Sequence, residues 1–388
     1  MHASKRPAGR QPRHAPGGHG LAVAIGLAAV LAGPPAAVQA YNLTPIYEET
    51  QVKLQSRAVP LFLRPVVARV LDQFSDPAHE ALTARMFGCS GAFLDCGDNP
   101  EGSVPQGVLD GLRWNDNPIF RLASHSSYCP AAARPNYFLD LDSDPVCWAT
   151  LFYDAEKHAG AKPGEHFSGA GAATPVALVY RVHFGDLQFI HGMASWDGET
   201  AATTQAHVLG WLELTWRLHD GEIADTSVPI TTLVPALADV FEHNGFSPRS
   251  LFLPQLTEPG SDSEAILRNM ALGSLIHTLE DSYSSAHARR DDSSAGHPCT
   301  GFPDAPVPGR ITAFYAYNHQ AGSKHKQRDS SDTAETQLSE SVTVVELGRE
   351  VLALAKQQRS WKEVAPWFGC VMEVSDPAAT AGPGEFAP

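Results

Sequence analysis

The sequence lacks any apolar run long enough to span a bilayer, which takes about 20 residues. Its most apolar stretch, residues 21–32, is too short and is followed by Val38-Gln39-Ala40. Four basic residues precede this stretch: Lys5, Arg6, Arg10 and Arg13. A basic start, a short apolar core and an A-x-A-like end are typical of a secretory signal peptide. We therefore predict that residues 1–40 are a signal peptide and that the protein is secreted or periplasmic.

Positive charge is also scarce, because 28 Lys and Arg residues face 43 Asp and Glu residues and the net charge is -15. Removing residues 1–40 takes away four basic residues and no acidic one, so the charge becomes -15 - 4 = -19. Such a chain has no general electrostatic attraction to nucleic acid or anionic membranes. We expect no stable nucleic-acid partner and see no obligate protein partner. A phosphoester substrate remains compatible if bound metal ions supply positive charge locally.

No C-x2-C pair is present, which argues against a cysteine-rich zinc ribbon. The six cysteines all follow residue 40, and an even number in an exported protein favours three disulfides. Their order suggests the pairs Cys89–Cys96, Cys129–Cys147 and Cys299–Cys370, although six cysteines allow 15 pairings.

Helical periodicity of the apolar residues is clear in six segments. They are residues 59–74, 79–87, 206–223, 231–246, 263–285 and 335–357. Strand-like runs such as "PVALVYRVHF" (175–184) are few, residues 90–175 have the composition of long loops, and residues 374–388 that of a disordered tail. The pattern predicts a mostly α protein: one helical domain, residues 41–373, around a buried centre, with long disulfide-pinned loops.

The stretch "HTLEDSYSSAH", residues 277–287, overlaps the end of the fifth of these segments. His277 and Asp281 are one helical turn apart and share a face. His287 returns to the same side if the helix bends or ends around Ser284-Ser285. Converging nitrogen and oxygen ligands suit zinc. The alternative is a set of histidines at the edge of the core, each satisfied by hydrogen bonds.

"LIHTLEDSYSSAH" resembles the H-x3-D-x5-H core motif of the zinc-dependent phospholipase C and fungal single-strand nuclease superfamily. "HTLEDSYS" also resembles the heterokaryon-incompatibility branch of that superfamily. The resemblance implies that His277 and Asp281 bind one zinc, that Asp281 bridges to another, and that His287 binds a further one. It thus implies two or three Zn2+ ions as cofactors.

Other parts of the chain match what this resemblance requires. "HKQRD" supplies His325 and Asp329, "DPAHEALTARMF" supplies His79, and "GLRWNDNP" supplies Asp116. One more histidine should lie between Asp116 and the central motif. We favour His191 in "GDLQFIHGMAS".

His125 and His183 remain alternatives to His191, and Tyr41 is a weak candidate for a main-chain ligand after cleavage. The predicted metal ligands are His79, Asp116, His191, His277, Asp281, His287, His325 and Asp329.

The resemblance implies a secreted zinc-dependent phosphoric ester hydrolase, phospholipase C-like, in which a zinc-bound hydroxide attacks phosphorus in line. Asp116 and Asp281 would be its catalytic carboxylates. A phospholipid or another phosphoester would be the substrate, with transient contact at a membrane surface. Arg289-Arg290 would grip the phosphate or form a solvated turn. The alternatives are a zinc-dependent single-strand nuclease or nucleotidase, and a non-catalytic exported helical protein with a structural or lost metal site.

Overall fold

A computed structural model gives the fold of most of the chain after residue 63. It describes residues 64–73, 76–98, 103–121, 138–159, 178–242, 245–256, 260–291, 298–338 and 342–388. All of them belong to one compact unit. Among these residues, no helix combines the length and the apolar character needed to cross a membrane. The predicted signal peptide and Tyr41 lie outside the described residues.

The described elements are mostly helices, which confirms the predicted fold class. The first half of the chain contains α1 (Arg64–Gln73), α2 (Ala78–Met86), α3 (Phe93–Asp98), α4 (Gln106–Trp114), α5 (Pro145–Glu156), α6 (Leu178–Phe184) and α7 (Ala201–Asp220). The second half contains α8 (Ile230–Leu233), α9 (Ala238–Phe241), α10 (Pro248–Phe252), α11 (Ser261–Asp281), α12 (Gly322–Arg328), α13 (Ser331–Gln337), α14 (Val344–Lys356) and α15 (Trp361–Val371). Two antiparallel strand pairs complete the set: β1 (Phe120–Arg121) with β2 (Phe138–Leu139), and β3 (Ala288–Arg290) with β4 (Ile311–Phe314).

Helix α11 runs through the core, and from Ala271 to its end every side chain is buried. It packs against α4 and α7. Trp211 and Trp216 of α7 are 0 % exposed. Gly260 is the N-cap of α11, and its N–H donates to Ser263 Oγ at 3.0 Å.

Three segments differ from the secondary structure predicted from the sequence. Residues 178–184 of the strand-like segment form α6, because a short apolar run suits a buried helix as well as a strand. Pro235 separates the short helices α8 and α9 in the segment 231–246. The segment 335–357 is two helices, since Thr343 caps α14 in a capping box with Glu346.

Residues 90–175 also contain helices where loops were predicted: α3, α4 and α5. In α5 the N-cap Asp144 accepts the Cys147 N–H, and Trp148 and Phe152 are buried one turn apart. Apolar spacing thus outweighs the Gly, Pro and Ser content of this region.

The predicted disordered tail is wrong as well. Residues 374–388 pair with the body through backbone hydrogen bonds, including Ala381 N–H to Glu199 O at 2.8 Å and Ala316 N–H to Gly382 O at 3.1 Å. Phe386 is 3 % exposed and packs against Tyr315. Backbone pairing orders a segment whose composition alone indicates disorder.

The disulfides Cys89–Cys96 and Cys299–Cys370 are confirmed. Cys147 is disulfide-bonded too, whereas Cys129 lies outside the described residues.

Removing the Cys299–Cys370 disulfide by a double Cys→Ser change is expected to cost more than removing Cys89–Cys96. The two bonds close loops with sequence separations of 71 and 7 residues. The loop-entropy relation gives roughly 4 kcal/mol for the long loop and roughly 2.5 kcal/mol for the short one. Urea denaturation of both double variants measures the difference, and equal losses would contradict this loop-length argument.

Candidate metal centre

The end of α11 delivers two of the predicted ligands, and the turn after it delivers a third. His277 and Asp281 are both 0 % exposed on the last turn of the helix. The chain then turns: Ser284 N–H donates to Asp281 O at 2.9 Å and His287 N–H to Ser284 O at 3.0 Å. The helix therefore ends a few residues before the predicted bend, and His287 comes back beside Asp281.

Two glycines allow α4 to lie directly against α11. A Cβ on Gly111 would stand 1.9 Å from the Met270 carbonyl oxygen, and a Cβ on Gly273 would stand 2.0 Å from that of Val108. Because the two helices lie this close, His277 Nδ1–H can donate to the Leu112 carbonyl oxygen at 2.7 Å. The backbone contact thus turns His277 Nε2 toward Asp116, which follows α4.

The structure brings all eight predicted ligand residues into one buried cluster, and no residue of the eight is more than 3 % exposed. The first group lies around one oxygen of Asp281. Its Oδ2 is 2.7 Å from His191 Nδ1 and 2.9 Å from His277 Nε2. Both nitrogens are 3.9 Å from Asp116 Oδ1. Tetrahedral ligands about 2.0–2.2 Å from a zinc ion stand roughly 3.4 Å apart, so this group has the size of a metal site.

A second group lies around the other oxygen of Asp281. Its Oδ1 is 3.5 Å from His79 Nε2 and 3.4 Å from His287 Nδ1. The His79 ring, on the first turn of α2, stacks on His277 with the ring centroids 3.9 Å apart. His79, His277 and Asp281 together can hold a metal ion.

The third group consists of His287, His325 and Asp329, and α12 carries the last two one turn apart. His325 Nε2 is 2.8 Å from Asp329 Oδ2 and 3.2 Å from His287 Nε2. Three buried His/Asp groups can therefore hold metal ions.

In four of the imidazoles, the Nδ1 nitrogen makes a hydrogen bond to an atom that is not a predicted metal ligand. His79 Nδ1–H donates to Glu280, His277 Nδ1–H to Leu112 O, His287 Nδ1–H to His191 O and His325 Nδ1–H to Gln320 Oε1. Such contacts fix the tautomer, so that Nε2 carries the lone pair that a cation needs. The sequence analysis did not identify Glu280 and Gln320 because their role depends on a tertiary contact.

His183, an alternative to His191, lies beside the first group. Its Nε2–H donates to the Asp116 carbonyl oxygen at 2.8 Å, and its ring stacks on His191 with the centroids 5.7 Å apart. Asp116, His183 and His191 also form a metal-capable set. His125, the other alternative, lies outside the described residues.

Several ligand atoms of the cluster are buried without a hydrogen-bond partner. Within the described part of the chain these include both carboxylate oxygens of Asp116 and Oδ1 of Asp281. A buried carboxylate oxygen with no donor is costly, because burial removes its hydration without replacement. A bound cation would supply the missing partner, so the donor set fits a metal.

The electrostatics divide the cluster into neutral and charged groups. Burial, reinforced by His277, lowers the pKa of His79 to about 3, and burial lowers that of His191 to about 4. Both rings are therefore neutral at pH 7 and ready to bind a cation. Burial and the nearby Asp281 carboxylate raise the pKa of Asp116 well above its usual range.

The groups around His287 show the opposite pattern. Burial lowers the pKa of His287, but the carboxylates of Asp281 and Asp329 outweigh burial and raise it to about 9. Burial raises the pKa of Asp329, but the His325 and His287 imidazoles outweigh this and lower it to about 2. A cation entering this group must displace the proton of His287.

The metal-free protein is expected to lose stability as the pH rises from 6.5 to 9. The pKa of His287 is about 9 in the folded chain against an ordinary value of 6.5. Its contribution is therefore complete below pH 6.5 and is lost as the pH passes the folded value. We expect a loss on the order of 2–3 kcal/mol in the free energy of unfolding. Urea denaturation of chelator-treated protein measures it, His287→Gln should flatten the profile, and equal stability at both pH values would contradict the assignment.

Arg290 does not fit either role predicted for the Arg289-Arg290 pair. Its guanidinium donates to the carbonyl oxygens of Gly309 at 3.0 Å and Val371 at 2.9 Å and to Ser282 Oγ at 3.0 Å. Arg290 thus ties the turn after α11 to α15. Arg289 is exposed and donates to Thr312 Oγ1 across the β3–β4 pair.

No protein-family model matches the chain, and neither a curated protein nor a solved structure matches it. The interpretation of the cluster therefore depends on its residues and geometry.

Proposed function

We propose that the protein is a zinc-dependent phosphoric ester hydrolase of the phospholipase C type, secreted or periplasmic. The observation that carries the proposal is the position of Asp281, whose two carboxylate oxygens face different sets of imidazoles. A carboxylate placed in this way can hold two cations close together, because its charge offsets their mutual repulsion. Paired cations a few ångströms apart are typical of enzymes that hydrolyse phosphate esters.

The donor chemistry favours zinc over magnesium or calcium. The three groups combine imidazole nitrogens with carboxylate oxygens, whereas magnesium and calcium prefer oxygen ligands alone. His191, His277 and Asp116 would hold one zinc with Asp281. His79 and Asp281 would hold a second.

A third zinc would be held by His287, His325 and Asp329. Bound zinc supplies Lewis acidity, lowering the pKa of water and offsetting the charge of a phosphate. Hydrolysis forms one P–O bond from water and breaks the ester P–O bond, and the leaving alcohol takes up a proton from solvent.

The chain itself contributes proton transfer and charge. Both oxygens of Asp116 lack a hydrogen-bond donor among the described residues, so one can face a cation while the other accepts the proton that the attacking water loses. Asp281 holds the cluster together through its charge. These are the roles we propose for the two catalytic carboxylates.

A phospholipid is the substrate that we favour, reached by transient contact at a membrane surface. The net charge of -15 disfavours a polyanion such as nucleic acid, while a phospholipid with a single phosphodiester, such as zwitterionic phosphatidylcholine, brings little repulsion. The disulfides Cys89–Cys96 and Cys299–Cys370 are compatible with an oxidising compartment outside the cytoplasm.

Two measurements on the purified protein test the proposal. Elemental analysis should find two or three zinc ions per chain, and phosphatidylcholine should release phosphocholine in a chelator-sensitive reaction. Release of nucleotides from single-stranded DNA with an inactive phospholipid reaction would instead identify a nuclease. One tightly bound zinc or none, with neither substrate cleaved, would identify a non-catalytic protein.

A further inference from the structure

A carboxylate outside the predicted ligand set lies directly behind one of the ligands. Glu280 is 0 % exposed, and its Oε2 is 2.5 Å from His79 Nδ1. Its other oxygen, Oε1, accepts a hydrogen bond from Thr83 Oγ1 at 2.8 Å. Both carboxylate oxygens are therefore directed at α2, the helix that carries His79.

The position of Glu280 follows from helix geometry. Consecutive residues on an α-helix point about 100° apart, so Asp281 faces the cluster while Glu280 faces α2. His79 and Thr83 are one turn apart on α2 and share the face that meets Glu280. Helix α11 thus contacts the His79 ring at both nitrogens: Glu280 at Nδ1, and Asp281 Oδ1 3.5 Å from Nε2.

Burial of Glu280 has no evident advantage for stability by itself. A buried carboxylate costs several kcal/mol unless a cation or several donors compensate for the lost water. The guanidinium of Arg113 pairs with another buried carboxylate, Glu80, with Nε 3.0 Å from Oε1. In the described part of the chain, Glu280 has one imidazole and one hydroxyl as its hydrogen-bond partners.

We propose that Glu280 is a positioning residue for the cation held by His79 and Asp281. Its carboxylate keeps the His79 proton on Nδ1, holds the ring in place, and directs the Nε2 lone pair at the cation. In its ionised form the carboxylate also makes the imidazole a stronger electron donor. This inference rests on the proposed function, because it assumes that the cluster binds zinc.

The His79 group should depend on such support more than the other two groups. Its remaining members, His277 and Asp281, also belong to the first group. His79 is thus the one ligand that this cation does not share. Outer carboxylates of this kind typically change metal affinity by about 10- to 100-fold.

Three variants separate charge from orientation. In Glu280→Gln the amide oxygen can still accept from His79 and the amide NH2 can donate to Thr83, so the orientation stays while the charge is lost. Glu280→Leu loses both. Thr83→Val is the matched control, because it removes one contact of Glu280 and leaves the imidazole–carboxylate pair intact.

Zinc affinity is measured on metal-free protein by competition with a chromophoric chelator, and thermal unfolding without metal checks the fold. We expect the weakest zinc site to lose about 10-fold in affinity in Glu280→Gln and about 100-fold in Glu280→Leu, with Thr83→Val close to wild type. The other sites should keep their affinities. In a His79→Ala background, Glu280→Gln should have no further effect on zinc binding, because the carboxylate acts through His79.

The outcomes that would contradict the role of Glu280 differ from the outcome that would contradict the proposed function. Wild-type affinities in both Glu280 variants would overturn this inference alone, and so would an equal loss at every zinc site or an undiminished effect in the His79→Ala background. A wild-type protein that binds no zinc would overturn the proposed function as well.

Discussion

Replacing Asp281 by asparagine is expected to abolish metal binding at two of the three groups and to abolish catalysis with it. The carboxylate contacts His191 and His277 through one oxygen and faces His79 and His287 through the other. An amide keeps the shape but not the charge, and neutral imidazoles cannot offset the repulsion between adjacent dications. The group of His287, His325 and Asp329 does not include Asp281.

We therefore expect the zinc content of Asp281→Asn to fall to at most one ion per chain. Hydrolysis of phosphatidylcholine should fall by on the order of a thousand-fold, equivalent to about 4 kcal/mol in the activation barrier. The matched control is Asp262→Asn, the same change on the exposed first turn of the same helix. It should keep the wild-type zinc content, and a wild-type zinc content in Asp281→Asn would refute the bridging role.

The second large effect is expected from Gly273→Ala, which places a methyl group where α4 and α11 meet. The new Cβ would stand 2.0 Å from the Val108 carbonyl oxygen and 2.5 Å from the Leu112 nitrogen, so α4 and α11 must move apart. Backbone atoms cannot yield as a flexible side chain can. We expect a loss of about 3 kcal/mol or more in the free energy of unfolding, measured by urea denaturation of metal-free protein.

Zinc binding should weaken in the same variant, because the separation also breaks the contact of His277 Nδ1 with the Leu112 carbonyl oxygen. Gly369→Ala is the control: this glycine is also helical, and a Cβ there would meet nothing within 4 Å. It should be neutral or stabilising by about 0.5–1 kcal/mol, as for an unhindered change to alanine in a helix. Equal stabilities of the two variants would show that the close approach is unimportant.

The parts of the site that lie on one helix could be predicted from the sequence. His277 with Asp281, and His325 with Asp329, are one turn apart, and this spacing alone places each pair on one face. Glu280 could not be identified in this way, because an acidic residue on a helix most often faces solvent. Its role becomes visible only when α2 is packed against it.

The histidine between Asp116 and α11 was harder to assign. His183 and His191 both follow apolar residues, and the structure places both rings near Asp116. Short apolar segments also carry no reliable period, so the region of α6 was predicted as a strand. The ordered C-terminal segment was missed because its backbone pairing leaves no pattern in the side chains.

That C-terminal segment has a consequence for the order of events during biosynthesis. The Ala321 N–H donates to the Phe386 carbonyl oxygen at 2.6 Å, and Lys324 Nζ donates to the Ala387 carbonyl oxygen at 2.6 Å. The helix that carries His325 therefore begins against residues that leave the ribosome some sixty positions later. The contacts that hold this helix in place can therefore form only after residues 386–387 have emerged, and we expect ion uptake by that group to follow.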